Sequence, residues 1–260
     1  MLSPIRFRQA LVRPPTPSVV DGLRAIDGPD PDFARFADEH AAYVAVLQAA
    51  GLMVEVMAEL PDHPDAVFVE DAALCVGSLA VVLRPGAPSR SGEADAIVAD
   101  LEARFSKVTR VTEGFVDGGD ILVTADEVLI GLSARTDRAG AGALMSALAS
   151  TGLAIRIVET PSDVLHFKTD CAIVDERTIF STARLAASGC FEGYDVVVCP
   201  TGEEAAANLI RVNDVVVMRT GFPATERLLT EAGYDVVTTD ADEAARIDGG
   251  LSCMSLRCSW

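Results

Sequence analysis

Residues 248–257 read DGGLSCMSLR, an aspartate and two glycines set just ahead of Cys253. Glycine lets the backbone take φ > 0 or approach another group closely, so this stretch aims Cys253 at something. A thiolate is the strongest ordinary protein nucleophile and works beside a base. Three histidines are available. His40 falls on the apolar face of a predicted helix and reads as a packed core residue. His63, in the proline-bounded PDHPD, reads as solvated. His166, in VLHFK, lies inside or at the end of an apolar run. A lone strand histidine is more often structural, but its place in the repeat described below favours a functional reading.

Acids and arginines complete the set. VFVED ends a β-rich run on Glu70 and Asp71. Paired acids leaving an apolar strand are costly if buried without a partner, so they read either as a cation grip or as a solvated strand end. DGGD at 117–120 is a glycine turn between two acids, a pattern shared by many hairpins. RPGAPSR offers Arg84 and Arg90, and GLSARTDR offers Arg135 and Arg138. Such guanidinium groups pair surface acids or hold a carboxylate in bidentate fashion.

The other five cysteines, Cys75, Cys171, Cys190, Cys199 and Cys258, show no CxxC spacing with one another or with Cys253. Zinc ribbons and disulfide frameworks are therefore disfavoured, and most of these thiols read as small buried hydrophobes, Cys75 and Cys199 above all. Cys258 is a rival nucleophile, but no glycine turn presents it.

Elements must bring these distant residues together. Residues 31–50 carry Phe33, Ala37, His40, Val44 and Leu47 at helical spacing, and Gly51 ends that helix. LMVEVMA, AVFVED and LAVVLR follow as expected strands. Further expected strands include KVTRVT, DILVTA, EVLIGL, AIRIVE, VLHFK, CAIVD, YDVVVCP, DVVVMRT, YDVVTT and LSCMSLR. Helices are expected over about 93–105 and 138–150, near Glu203 and over ATERLLTEAG. The rhythm recurs at roughly 40–50 residues, and five units fit if the N-terminal IRFRQALVR completes the last one. Glu70-Asp71, Asp117, His166 and Cys253 then fall at equivalent loop-to-strand positions. Repeats packed about a common axis would gather them. No Pro/Gly/Ser linker divides the chain, so 1–260 is expected to be a single catalytic domain.

Composition bounds the rest. Half of the 260 residues are hydrophobic and only 23% are charged, which allows a large core and argues against disorder. A net charge of −18 disfavours nucleic acid and anionic membranes and favours a cationic small substrate, although acidity also simply keeps proteins soluble. The N-terminus lacks the apolar stretch of a signal peptide and no run is long enough to span a membrane, so a cytoplasmic location is expected.

Together, VVDGL, DAVFVEDAAL, RPGAPSR, DGGDILV, IGLSARTDRAGA, VLHFKTD, AANLIRVND and IDGGLSCMSL resemble, in family order from about residue 19 to the end, the dimethylarginine dimethylaminohydrolase family of the guanidino-group-modifying superfamily. The resemblance implies an α/β fold: a five-bladed α/β propeller of ββαβ repeats with pseudo-fivefold symmetry, the pentein fold. It implies hydrolysis of Nω-methylated arginines to citrulline plus a methylamine. By motif position it makes Cys253 the nucleophile, His166 the general acid/base and Asp117 the residue that orients it. Glu70 and Asp71, with Asp65 nearby, would grip the guanidinium. Arg90 and Arg135 would hold the α-carboxylate, Asp248 and the Ile247 backbone the α-amino group, and Leu23 would belong to a flap. Arginine deiminases carry His-x-Asp where this chain has His166-Phe167-Lys168. The missing acid leaves room for methyl groups.

The chemistry asks for these residue types. The delocalised guanidinium carbon is a poor electrophile, so a thiolate suits it. An acid must protonate the departing amine and then activate water. No metal or organic cofactor is expected. Acids beside Cys253 would raise its pKa, leaving the thiol neutral until a cation arrives. Two alternatives remain: a deiminase or hydrolase acting on arginine or another guanidino compound, and a non-catalytic propeller that binds a partner. A homodimer is compatible with either enzyme.

Overall fold

The computed structural model describes residues 3–259. In chain order its strands are β1 (Gln9–Val12), β2 (Met53–Val56), β3 (Ala73–Val76), β4 (Leu79–Val82), β5 (Lys107–Arg110), β6 (Ile121–Val123), β7 (Glu127–Leu132), β8 (Ala154–Glu159), β9 (Cys171–Ile173), β10 (Thr178–Ser181), β11 (Asp195–Val198), β12 (Ile210–Val212), β13 (Val215–Arg219), β14 (Asp235–Thr239) and β15 (Leu256–Cys258). They form five sheets of three strands each, ordered β15-β1-β2, β3-β4-β5, β6-β7-β8, β9-β10-β11 and β12-β13-β14. In every sheet the first strand runs antiparallel to the middle one and the third runs parallel to it.

Each unit is thus a hairpin followed by a crossover to a parallel strand. Short turns make the hairpins: Gly77 (φ 54°) between β3 and β4, and Asn213 (φ 54°) between β12 and β13, take the left-handed conformation that glycine and asparagine tolerate best. A parallel neighbour needs a longer connection, supplied by α1 (Phe33–Ala49), α2 (Ser91–Ala96) with α3 (Val98–Glu102), α4 (Arg138–Leu148), α5 (Ala183–Ala186) and α6 (Pro223–Glu231). Asp32 and Asp137 cap α1 and α4 by accepting from Arg35 N and Gly140 N. A short α7 (Asp242–Ala245) precedes the stretch that carries Cys253. Pairing of β1 with β15 completes one sheet from both ends of the chain, as the five-unit reading requires.

The five strands β3, β6, β9, β12 and β15 all contribute to one cavity of about 120 Å³. They are the inner strands of five blades around a common axis, and the fold is the α/β propeller.

Several local expectations change. The helix at 31–50 forms, but its buried face is Phe36, Glu39, His40, Tyr43 and Leu47. The expected helix over 93–105 is the pair α2 and α3, and the one near Glu203 is only a 3₁₀ turn, Glu204–Ala207. VFVED and VLHFK are not strands. Val69–Ala72 and Phe167–Thr169 are 3₁₀ turns, as is Gly118–Asp120. Each leads into an inner strand at the axis, and these turns carry the site.

Candidate active site

Cys253 and His166 line one small cavity together with Leu23, Asp65, Asp71, Arg90, Arg135, Ile247 and Asp248. Phe68, Leu165 and Gly249 complete its wall. Asp117 lies directly behind His166, fully buried. Its Oδ2 is 3.1 Å from His166 Nε2, while its Oδ1 accepts from Gly86 N at 2.6 Å. Arg135 reaches the same carboxylate at 3.7 Å. Glycines make this closeness feasible. A Cβ on Gly119 would lie 2.9 Å from the His166 ring, and one on Gly118 would strike the Glu70 carbonyl.

Asp71 is pinned from two sides: Arg90 donates to Oδ2 at 2.5 Å and Gly119 N to Oδ1 at 2.8 Å. Burial pushes its carboxyl up, but Arg90 and His166 outweigh this and hold it down at about 2. For His166, burial opposes the charge, yet the Asp117 bond and the charges of Asp71 and Asp120 raise the imidazole to about 9. Cys253 goes the other way. Burial, then Asp71 and Glu70, push its thiol up to about 12. At neutral pH the empty site therefore holds a neutral thiol and an imidazolium.

Asp120 had no expected role. It is fully buried and accepts from Ser133 Oγ, Thr136 Oγ1 and Phe167 N at 2.7, 2.6 and 2.8 Å. It thereby ties the β7–α4 loop to the residue after His166. Its position, last in DGGD, was the available signal.

The glycine pair of 248–257 works by close approach. Neither Gly249 nor Gly250 has positive φ, whereas Asp248 does, at 57°. A Cβ on Gly249 would fall 2.1 Å from the Phe68 ring, and one on Gly250 would fall 2.5 Å from the Asn208 side chain. Asn208 itself accepts from Ser252 N at 3.0 Å and donates to the Lys168 carbonyl at 3.1 Å, fixing the turn that carries Cys253.

One expected substrate contact sits elsewhere, and another is engaged with protein groups. Glu70 faces the axial cavity, not the Cys253 cavity. Its Oε1 accepts from Lys168 Nζ at 2.6 Å and from Arg257 at 3.1 Å. Glu70 and Lys168 each stand three residues before an inner strand, at Ala73 and Cys171, so blade symmetry points both at the axis. Arg90 does line the Cys253 cavity, but it is buried and donates to Glu93, to Asp71 and to the Phe68 carbonyl. It is a structural hub. Among the described residues Arg135 makes only the long ion pair to Asp117, and its side chain stays partly exposed.

The other histidines are placed apart. His40 is buried in the core, and burial lowers its pKa to about 4. His63 is half-buried against Gly92 rather than solvated. Cys199 is buried, Cys75 only partly, and Cys258 lies by the axial cavity.

A flap covers the Cys253 cavity. Leu23 N donates to Asp65 Oδ1 at 2.9 Å, and Ala25 N donates to Asp248 Oδ2 at 2.5 Å. The cavity has a volume of about 30 Å³. Ligand atoms of Asp71, Asp117 and His166 also lie within 4.8 Å of one another. Since each already has protein partners, the cluster reads as an acid–base network.

Comparison with known proteins bears on this arrangement. Residues 94–199 match the family model described as arginine deiminase. The chain is 37% identical to N(G),N(G)-dimethylarginine dimethylaminohydrolase of Pseudomonas aeruginosa over 96% of this chain and 99% of that protein. The chain belongs to the dimethylarginine dimethylaminohydrolase family. A protein of the same name from Streptomyces coelicolor is 31% identical, with 96% of each chain covered. The Pseudomonas aeruginosa family member, solved as a Cys-to-Ser mutant complexed with citrulline, superposes with a TM-score of 0.93 at 35% identity, covering 97% of this chain and 99% of that one. The N-terminal domain of a cyanobacterial arginine dihydrolase shares the fold, at 19% identity and a TM-score of 0.81, over 96% of both chains.

Proposed function

We propose that this chain hydrolyses Nω-methylated arginines to citrulline and a methylamine, as an amidine hydrolase acting on a cationic guanidino substrate. The observation that carries this reading is the single cavity lined by Cys253, His166 and Asp71, with Asp117 bonded to the histidine from behind. The citrulline complex of the Pseudomonas aeruginosa relative supports it.

The proposed course begins as the flap yields and the guanidinium settles against Asp71, with Asp65 nearby. The cation offsets the field that keeps Cys253 neutral, so the thiol loses its proton to solvent and the thiolate attacks the guanidinium carbon. The tetrahedral adduct collapses as His166, already protonated, gives its proton to the departing dimethylamine. The C–N bond breaks and an S-alkylthiouronium remains on Cys253. Now neutral, His166 takes a proton from water, and the hydroxide adds to the same carbon. The C–S bond then breaks with its electron pair returning to sulfur, the proton of the added hydroxyl passes to that thiolate as the carbonyl forms, and citrulline leaves.

Arg135 is assigned the α-carboxylate, and the Ile247 carbonyl with Asp248 the α-amino group. Asp248 must first release Ala25 N. Lys168, paired with Glu70 away from the Cys253 cavity, leaves no acid at that position to claim an unsubstituted nitrogen, which favours methylated substrates. We further assign all 260 residues to one catalytic unit, supported by the β1–β15 closure. A cytoplasmic location and a homodimer belong to the same reading. No helix among the described residues is long and apolar enough to cross a membrane. The test is a colorimetric citrulline assay with asymmetric dimethylarginine, monomethylarginine and arginine side by side. Turnover of arginine alone, or of none, overturns the proposal.

A further inference from the structure

Four blades send a residue of the proposed reaction from the loop ahead of their inner strand: Asp71 before β3, Asp117 before β6, His166 before β9 and Cys253 before β15. The loop ahead of β12 sends none into the Cys253 cavity. Asn208 stands in it, two residues before Ile210, just as Asp71 stands two before Ala73. It belongs to AANLIRVND, a stretch the reaction leaves without a role. Its Oδ1 accepts from Ser252 N at 3.0 Å, and its Nδ2 donates to the Lys168 carbonyl at 3.1 Å and to Ser252 Oγ at 3.2 Å. A backbone N–H can only donate and a carbonyl can only accept, so these partners fix which way the amide points.

We propose that Asn208 is a positioning residue that sets the separation of Cys253 from His166, an inference that rests on the hydrolase reading above. Lys168 lies two residues past His166, and Ser252 immediately precedes Cys253. One planar side chain thus ties the turn that carries the acid to the turn that carries the nucleophile. Asn208 is itself held: Ala206 and Ala207 before it are buried, and their 3₁₀ turn packs against the one at Phe167–Thr169. It lines neither cavity, so it acts only through the groups it holds. Thiolate attack and protonation of the departing amine take place at a carbon and its own nitrogen, so the sulfur and the imidazole must keep their spacing. Asparagine suits the task because it offers one acceptor and two donors at once. Aspartate keeps the acceptor and, when ionised, loses both donors.

The test is the citrulline assay on the full chain with asymmetric dimethylarginine, run as a pH series on the parent, Asn208→Ala and Asn208→Asp. At neutral pH both variants should lose about 10²-fold in kcat, the scale of a roughly 1 Å misplacement, while KM moves little. For Asn208→Asp, kcat relative to the parent should recover as pH falls towards about 5, since burial lifts an introduced carboxyl above its ordinary ~3.9 and its O–H then donates to the Lys168 carbonyl again. General structural damage would give no such acid recovery, and the neutral Asn208→Ala should show none. Should Asn208→Ala fail to fold by thermal melting, Asn208→Asp, which keeps the bond to Ser252 N, decides. Parent-like kcat in the variants, a loss confined to KM, or no acid recovery in Asn208→Asp would overturn the proposal. A parent that turns over no methylarginine sinks the hydrolase reading instead. The bridge is then judged by hydrogen exchange of the Ser252 amide, which Asn208→Ala should speed and which, left unchanged, overturns it.

Discussion

His166 Nε2 stands 3.1 Å from Asp117 Oδ2, with Asp71 and Asp120 adding their fields to the same ring. The imidazole should therefore titrate near 9 in the free enzyme. Because the departing amine needs a proton, kcat/KM should fall as pH rises past that value. Asp117→Asn should move this limb to lower pH and lower the histidine's NMR-determined pKa. An unchanged NMR titration would show that Asp117 does not set the imidazole's charge.

The same groups make stability pH-dependent in opposite directions. His166 is raised, so its contribution is full below about 6.5 and is lost as pH climbs through about 9. Asp71 is lowered, so its contribution is full above about 3.8 and is lost as pH falls toward about 2. Melting temperature should decline in both windows, and His166→Gly should flatten the alkaline decline specifically.

Cys253→Ser should lower citrulline formation by at least about 10³-fold, the scale on which losing a covalent nucleophile is felt, while calorimetry still detects ligand binding. In the unmodified chain, ultraviolet titration should show no Cys253 thiolate near neutrality, since burial, Asp71 and Glu70 push the thiol up to about 12. A free-enzyme pKa below about 6, far under the ordinary ~8.5, would contradict this.

Gly249→Ala places a Cβ 2.1 Å from the Phe68 ring. Overpacking of this kind costs about 1–3 kcal/mol. It should also displace the turn carrying Cys253, so activity should fall more steeply than the melting temperature does. Gly142→Ala, where a Cβ meets nothing within 4 Å, is the control that should leave both intact.

Arg135→Ala should raise KM with less effect on kcat if Arg135 holds the α-carboxylate. A charged hydrogen bond of about 1.5–3 kcal/mol corresponds to roughly 10–150-fold. The penalty should vanish for a methylated guanidine lacking that carboxylate, a selectivity that mere structural damage would not produce.

Much of this was legible in the chain itself: the glycine stretch ahead of Cys253, the sparse histidines, the core placement of His40, a helix within 31–50 and the five-unit rhythm. Glycine spacing and apolar periodicity are local, and sequence carries them directly. What the tertiary structure alone decided were directions and partners. Glu70 and Asp71 are adjacent, but successive residues of a 3₁₀ turn point about 120° apart. One thus meets Lys168 on the axis and the other Arg90 at the cavity. Arg90 reads from sequence as a loop cation that pairs surface acids or holds a carboxylate, and becomes a buried hub, because Asp71 and Glu93 close around it only when the blade packs. Cys75 and Cys258 share no local pattern and line one cavity only because the first and last inner strands become neighbours when the ring closes.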